Sequence, residues 1–436
     1  MSDEVTLSQL IDEGALSLQT GPFGSQLHSY DYQDQGVPVI PTEGIQEGRI
    51  DHSVLPKITR EKADELRRHR VRADDILFAR RGAQATGRTA RIRSSEEGFI
   101  CGTGAIRARV EDREAINPKF LAWYLATPST VSWIREQAIG ATMPNLNKSI
   151  IGRIALPSIP ASEQEAIAAL LGALDDKIEL NRRMSATLEE MARALYRSWF
   201  VDFDPVHARA LGQPPAHMDA TTAALFPDSF GPDGLPKGWE WRSLDGIADF
   251  LNGAALQKFP PEGGAESLPV IKIAELRSGV TSKSGRAGLQ VPEKYKISNG
   301  DVLFSWSGSL LQKVWTEGPG ALNQHLFKVS SEVVPKWFHY FAVDQHLEEF
   351  RQVAASKATT MGHIQRHHLK EAMIAMPTDY AIIAAASELI EPAFDRSIAV
   401  NLEIQTLAAL RDALLPRLMS GDLCIRDAEK QVEDAL

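Results

Sequence analysis

The sequence predicts an α+β protein. Two α/β globular sections are separated by two long helices that form an antiparallel coiled coil, and the whole is an internal duplication with pseudo-twofold symmetry. Three observations predict this. Six short matches recur in one order at nearly one offset, each globular section holds short β-type runs broken by Gly and Pro, and each is followed by one long stretch of helical period.

The matches run the length of the chain. Val37-Pro38-Val39-Ile40-Pro41 recurs as Leu268-Pro269-Val270-Ile271-Lys272, and Asp75-Ile76-Leu77-Phe78 as Asp301-Val302-Leu303-Phe304. Pro118-Lys119-Phe120 recurs as Pro335-Lys336-Trp337, Thr142-Met143 as Thr360-Met361, Leu156-Pro157 as Met376-Pro377, and Ile178-x-x-Asn181 as Ile398-x-x-Asn401. The offsets lie between 217 and 231. Each match is weak alone; six in order are not expected by chance.

The first long helix is expected over residues 162–199. Ser162-Glu163-Gln164-Glu165 fits a capping box, and Ile167, Leu171, Leu174, Ile178, Asn181, Ser185, Leu188, Ala192, Leu195 and Trp199 alternate steps of four and three. The second helix repeats this less regularly over 382–419, through Phe394, Ile398, Asn401, Ala408 and Leu415. Its start has lost the capping-box Glu, and Pro416 is expected to kink or fray its last turn. Asn181 and Asn401 fall at matching seam positions. They read either as a polar pair that fixes helix register or as two residues facing solvent at the seam edge.

The formal net charge of −10 argues against a simple basic nucleic-acid coat, but the charge is segregated. Residues 1–160 carry 20 basic and 20 acidic side chains and residues 236–378 carry 16 and 14, whereas 161–235 carry 6 and 12 and 379–436 carry 5 and 11. The acidity therefore lies in the helices and their connections, which leaves the globular sections open to DNA but suggests weak unaided binding. Cys101 and Cys424 are too few and too distant for a disulfide framework or zinc cluster, and they fit a cytoplasmic setting. No apolar leader or membrane-length run is seen.

Catalytic motifs are not found. No phosphate-binding G-x-x-x-x-G-K-[ST] loop is present. Asn117-Pro118-Lys119-Phe120 is only faintly like an amino-methyltransferase loop, and a helix start is the better reading. Asp175-Asp176-Lys177 has nuclease-like spacing but sits on the heptad helix, where it reads as a solvated face. His363, His367 and His368 read as a polar or DNA-facing loop in preference to a metal site, so no metal is expected.

DNA-recognition chemistry is present. Residues 57–109 carry 14 basic and 7 acidic side chains. Arg67 to Arg72 suits phosphates, or is a solvated basic face paired with Glu61, Asp64 and Glu65. The loop 80–88, with Arg80, Arg81, Gln84 and Arg88, follows a strand and suits the major groove, where Arg pairs with guanine and Gln with adenine. Asn145, Asn147 and Lys148 follow Thr142-Met143-Pro144 as further candidates. Copy two keeps the strand but replaces the loop by 305–313, and its candidates are Ser307, Gln312, Lys313, Gln324, His325, His363 and Arg366. A retained scaffold with diverged loops is what two sites for different ligands would leave.

At this point the chain resembles the specificity subunits of type I restriction–modification enzymes. The resemblance rests on Leu174-Asp175-Asp176-Lys177-Ile178-Glu179-Leu180-Asn181-Arg182, on the run from Met191 to Val206, on Leu235-Pro236-Lys237-Gly238-Trp239-Glu240-Trp241, on the run from Leu414 to Leu423, and on Gly21-Pro22-Phe23-Gly24-Ser25. It spans nearly the whole chain, departing at the weak start of the second helix. It implies target-recognition domains at 1–160 and 236–378, each reading half of a bipartite double-stranded DNA sequence. Between and after them come spacer helices at 161–203 and 379–420, a linker at 204–235 and a tail at 421–436. It also implies that the helices set the gap and dock two modification (methyltransferase) subunits carrying S-adenosylmethionine, that restriction motor-nuclease subunits join, and that this chain holds no cofactor and no catalytic residue. The alternatives are a stand-alone DNA methyltransferase or nuclease, which the missing cofactor loop disfavours, and a coiled-coil protein-binding scaffold.

Overall fold

The computed structural model describes residues 4–82, 85–138, 145–263, 266–356 and 362–435. The chain divides into two compact units: Met1–Lys177 with Leu407–Leu436, and Ile178–Thr406.

In the first unit an antiparallel sheet is ordered Leu16–Thr20, Ala105–Val110, Ile76–Ala79, Thr89–Arg91. Ile76–Ala79 is buried throughout, as its apolar run demands. Asp75, just before it, is also buried. Arg109 donates to both its carboxylate oxygens, at 2.7 and 2.6 Å, so a charge that would be costly to bury alone is paired. A second sheet sets Val37–Ile40 parallel to Ile100–Cys101, and Ile40, Val71, Leu77, Ala90 and Cys101 share one core. Asn117 caps helix Pro118–Leu125, accepting from the N–H groups of Lys119 and Phe120. That bears out the helix-start reading.

The second unit repeats this plan. Val302–Ser305 lies between Leu326–Ser330 and Gln312–Val314, and Ser267–Ile271 runs parallel to Gly320–Leu322. The carboxylate before the central strand is kept: Asp301 pairs with Lys328 at 2.8 Å. The copies diverge at one short strand. Lys57–Ile58 pairs with Val37–Ile40, whereas Lys296–Ile297 pairs with Gly320–Leu322.

Two helices of 40 residues each, Ala161–Phe200 and Tyr380–Met419, pass from one unit into the other. Each is about 60 Å long at 1.5 Å per residue. The first helix begins one residue earlier than expected, so Ser162 lies inside the first turn and does not cap it. The N–H groups of Glu163 and Gln164 donate to the Pro160 carbonyl, and the buried Gln164 amide donates to Ile159 O and accepts from Asn117 N. At the second helix, Asp379 replaces the missing cap by accepting from Ala381 N at 2.9 Å. Pro416 does not fray the end, because the helix runs to Met419 and Ser420 N still donates to Pro416 O. A second proline, Pro392, also lies within this helix.

The first seam is as expected, with Ile167, Leu171, Leu174, Ile178, Ser185, Ala192 and Trp199 all buried. In the second, Phe394 and Leu415 are buried as expected, but between them the buried face is displaced by one residue: Ile398, Asn401 and Ala408 are half-exposed, while Ser397, Val400, Ile404, Leu407 and Leu414 are buried. Within the second unit, Arg182, Ser185 and Glu189 line a cavity of about 260 Å³ with Asn401, Ser397 and Phe394, in the reversed order of an antiparallel pair.

Residues 204–235 are folded. They form helices Asp204–Ala210 and Ala220–Leu225, with Val206, Phe226 and Leu235 buried. The C-terminal residues form helix Ile425–Ala435. Both cysteines are free. Among the described residues no helix is long and apolar enough to cross a membrane.

Candidate nucleic-acid interface

In the first unit the chain leaves strand Ile76–Ala79 at Arg80. Arg80 N donates to Gly104 O at 2.8 Å, Leu146 N donates to Arg80 O at 3.0 Å, and Arg81 bridges to Asn145. Gly21 N donates to Ala105 O at 2.9 Å, which brings in the turn after strand Leu16–Thr20. Four separate segments thus meet through main-chain bonds. The Gly21 position has no room for a Cβ, which would meet the Gly102 carbonyl.

The second unit builds the same frame bond for bond. Trp306 N donates to His325 O, Ile364 N donates to Trp306 O at 2.9 Å, Ser307 bridges to His363, and Gly253 N donates to Leu326 O at 3.0 Å. A Cβ at Gly253 would meet the Asn323 carbonyl. Arg80 therefore corresponds to Trp306, Arg81 to Ser307, Gly104 to His325, and Asn145 to His363.

The side chains on the two frames differ. Arg80 is half-buried and its Nε donates to Asn145 Oδ1 and Leu146 O, at 3.0 and 3.1 Å. Burial, then the neighbouring Arg81 charge, lowers its pKa from the ordinary value. Nε is locked, while the terminal nitrogens make no hydrogen bond to the described residues. Arg81 is exposed. In the second unit the Trp306 indole N–H lies 3.1 Å from Asn252 Oδ1 and 3.2 Å from Gln324 O. Ser307 Oγ and His325 Nδ1 are 3.0 Å apart, and the His325 and His363 rings flank the indole at 5.7 and 6.3 Å.

Of the sequence candidates, Arg80, Arg81 and Asn145 meet in the first frame, and Ser307, Gln324, His325 and His363 in the second. Asn147 has a structural task, capping helix Lys148–Gly152 through Ile150 N. Lys148 and Arg366 open corresponding helices. Arg366 also donates to Phe250 O and lies over the Phe327 ring. Gln84 lies outside the described residues. Arg88 is drawn elsewhere: it donates to Gln46 Oε1 at 2.8 Å. Gln312 turns inward and donates to Tyr340 O at 3.2 Å. Lys313 pairs with Glu317 at 3.4 Å and, with Arg277 and Arg351, lines a cavity of about 630 Å³. Trp306 and Asn252 were not among the candidates. Aligning the copies on their central strands would have found Trp306, since it takes the place of Arg80.

Three further readings change. His367 and His368 belong to helix Arg366–Glu371, not to a loop. With Glu371 their ligating atoms come within 4.8 Å of one another, and His368 Nδ1 lies 2.9 Å from Gln365 N and 3.2 Å from Gln365 O. Asp175 is not part of a solvated face; it pairs with Arg93 and Arg411. Asn181 is fully buried and neither of its amide atoms has a hydrogen-bond partner, while Asn401 is half-exposed. The two asparagines make no hydrogen-bonded pair.

Residues 24–190 and 236–385 match the type I restriction modification DNA specificity domain. The chain is 25% identical to the type I restriction enzyme HindI specificity subunit of Haemophilus influenzae over 357 residues, covering 70% of this chain and 77% of that protein. It is 24% identical to the MjaIX specificity subunit of Methanocaldococcus jannaschii over 325 residues, covering 72% and 71%. The fold is that of the crystal structure of the S subunit of a type I restriction–modification system from M. genitalium, with a TM-score of 0.53 at 15% identity over 96% of each chain.

Proposed function

Because this chain belongs to the family of type I restriction–modification DNA specificity subunits and carries two copies of its domain, we propose that each unit reads one half of a bipartite DNA target through its four-segment frame. The observation that carries this reading is the frame itself: identical main-chain bonds at Arg80–Leu146 and Trp306–Ile364 hold different side chains. Arg80, with Nε fixed and its terminal nitrogens unengaged, reads guanine through both acceptors of that base. Arg81, Lys148 and Arg366 position the phosphates, and Asn145, Ser307, Gln324, His325 and His363 complete the two surfaces.

In this reading the domains span 1–160 and 236–378, and the long helices set the gap between half-sites. The helices also dock two modification subunits, which bring S-adenosylmethionine and the methyl transfer; motor-nuclease subunits join for cleavage. Supporting the docking, Leu180 and Met191 lie exposed three turns apart on one face of the first helix, and Leu389 is exposed on the second. The chain itself recognises and does not catalyse.

Methylome sequencing of a host with and without this chain tests the proposal. Loss of one motif made of two half-sites around a fixed gap is expected. Loss of no motif, or of one continuous motif, would overturn it.

A further inference from the structure

We propose that Trp306 is the residue through which the second unit accepts thymine, by packing its indole against the C5-methyl group in the major groove. This deepens the half-site reading and rests on it.

The argument starts from equivalence. Main-chain bonds place Trp306 where the first unit has Arg80. In both units this position holds a long planar side chain whose inner N–H is engaged: Arg80 Nε by Asn145 Oδ1 and Leu146 O, Trp306 Nε1 by Asn252 Oδ1 and Gln324 O. The consequences are opposite. Guanidinium has further donors beyond Nε, whereas the indole has a single donor and no acceptor. With that donor engaged, Trp306 can offer a base pair only apolar surface.

The indole is also held in place. The Phe327, His325 and His363 rings lie 6.1, 5.7 and 6.3 Å from it. It is only half-buried, so part of it remains available to a ligand. Ser307 Oγ, the polar group next along the chain, is within 3.0 Å of His325 Nδ1. A rigid apolar surface among internally paired polar groups has one complement in the major groove. The thymine methyl is the apolar group that base edges present there.

The test uses the complex of the full chain with its modification subunits and duplexes carrying the motif read from the methylome. Each thymine of the second half-site is replaced in turn by deoxyuridine, which removes only the methyl. One such replacement is expected to weaken binding about fourfold, the worth of one buried methyl-sized group. In Trp306→Ala that sensitivity should vanish, while discrimination in the first half-site is kept. If discrimination at the other positions of the second half-site is also lost, the second unit of the alanine variant has not folded. Trp306→Gln, which keeps a side-chain N–H for Asn252, then gives the same comparison. A complex that binds its motif specifically, yet shows no deoxyuridine effect that depends on Trp306, overturns this assignment and leaves the half-site reading standing. A complex with no sequence preference overturns the half-site reading itself.

Discussion

Arg93 donates from Nη2 to Oδ2 of Asp175 at 2.9 Å, tying the globular part of the first unit to its long helix. Arg411, from the second long helix, donates to the other oxygen at 3.1 Å. One carboxylate thus joins three elements of that unit. All three side chains are largely but not fully buried, so solvent screens the pairs only in part. Asp175→Ala should destabilise the first unit by about 1–3 kcal/mol, since it removes the carboxylate that two guanidinium groups share. Urea unfolding followed by tryptophan fluorescence reads this without screening the pairs by salt, and Trp123, whose ring Arg411 also lies over, is one of the reporters in that unit. An unchanged midpoint would mean the bridge is solvated and weak.

Asn181 predicts the opposite sign. A buried amide with no partner is a cost, so Asn181→Leu should stabilise the second unit by about 1–3 kcal/mol in the same kind of unfolding experiment. Destabilisation would reveal a partner for the amide.

Arg80 and Arg81 should separate by phenotype. Arg80→Ala should relax selection at one guanine of the first half-site, by about 1–3 kcal/mol. Arg81→Ala should weaken all sequences alike and reduce the salt dependence of binding by about one phosphate contact. Binding to a panel of single-base variants at two salt concentrations distinguishes them, and identical profiles would refute the assignment.

A matched insertion of seven residues into both long helices lengthens each by about 10 Å while keeping its buried face, which corresponds to about 3 base pairs. The methylated motif should keep both half-sites and gain about that much gap. A change in either half-site would sink the spacer idea.

His339 is buried, its Nδ1 has no partner, and burial pulls its pKa down to about 4. Native His339 thus stays neutral where the unfolded chain binds a proton. Stability should be independent of this group above about pH 6.5 and fall as pH drops from there toward 4, by up to about 1.4 kcal/mol per pH unit. Comparing unfolding of the wild type and His339→Leu at pH 5 and 7.5 measures it; equal pH sensitivity in both would count against the assignment. His69 in the first unit is lowered to about 4 in the same direction, by burial and then by Arg68.

Much of the architecture was legible because apolar runs and paired charges repeat. Asp75 and Asp301 announce the two central strands, and the loops behind them carry much of the proposed recognition surface. The second seam was misread for a physical reason. Apolar residues occupy two adjacent stripes, Ile398-Ala408-Leu415 and Val400-Ile404-Leu407-Leu414, and helical period alone cannot choose between them. Packing in the folded units buries the second stripe and, of the first, only Leu415. Gln312 looked like a base reader because it follows a Gly-containing loop, but it lies on a strand whose side chain turns inward. Trp306 was missed because residue types associated with hydrogen-bonded readout were sought, and its contribution depends on which donor is already engaged.

The frame around Gly21 and Gly253 has a consequence for how such proteins change. Its joints are main-chain bonds, and its close approaches at the Gly102 and Asn323 carbonyls require that Gly21 and Gly253 lack a side chain. The side chains that meet DNA in the proposed reading are carried on that frame and differ between the copies. New target sequences are therefore within short mutational reach. The two units already hold arginine or tryptophan, and glycine or histidine, at corresponding positions of one frame. In the proposed reading each half can change without the other, and a repertoire of targets grows by combination.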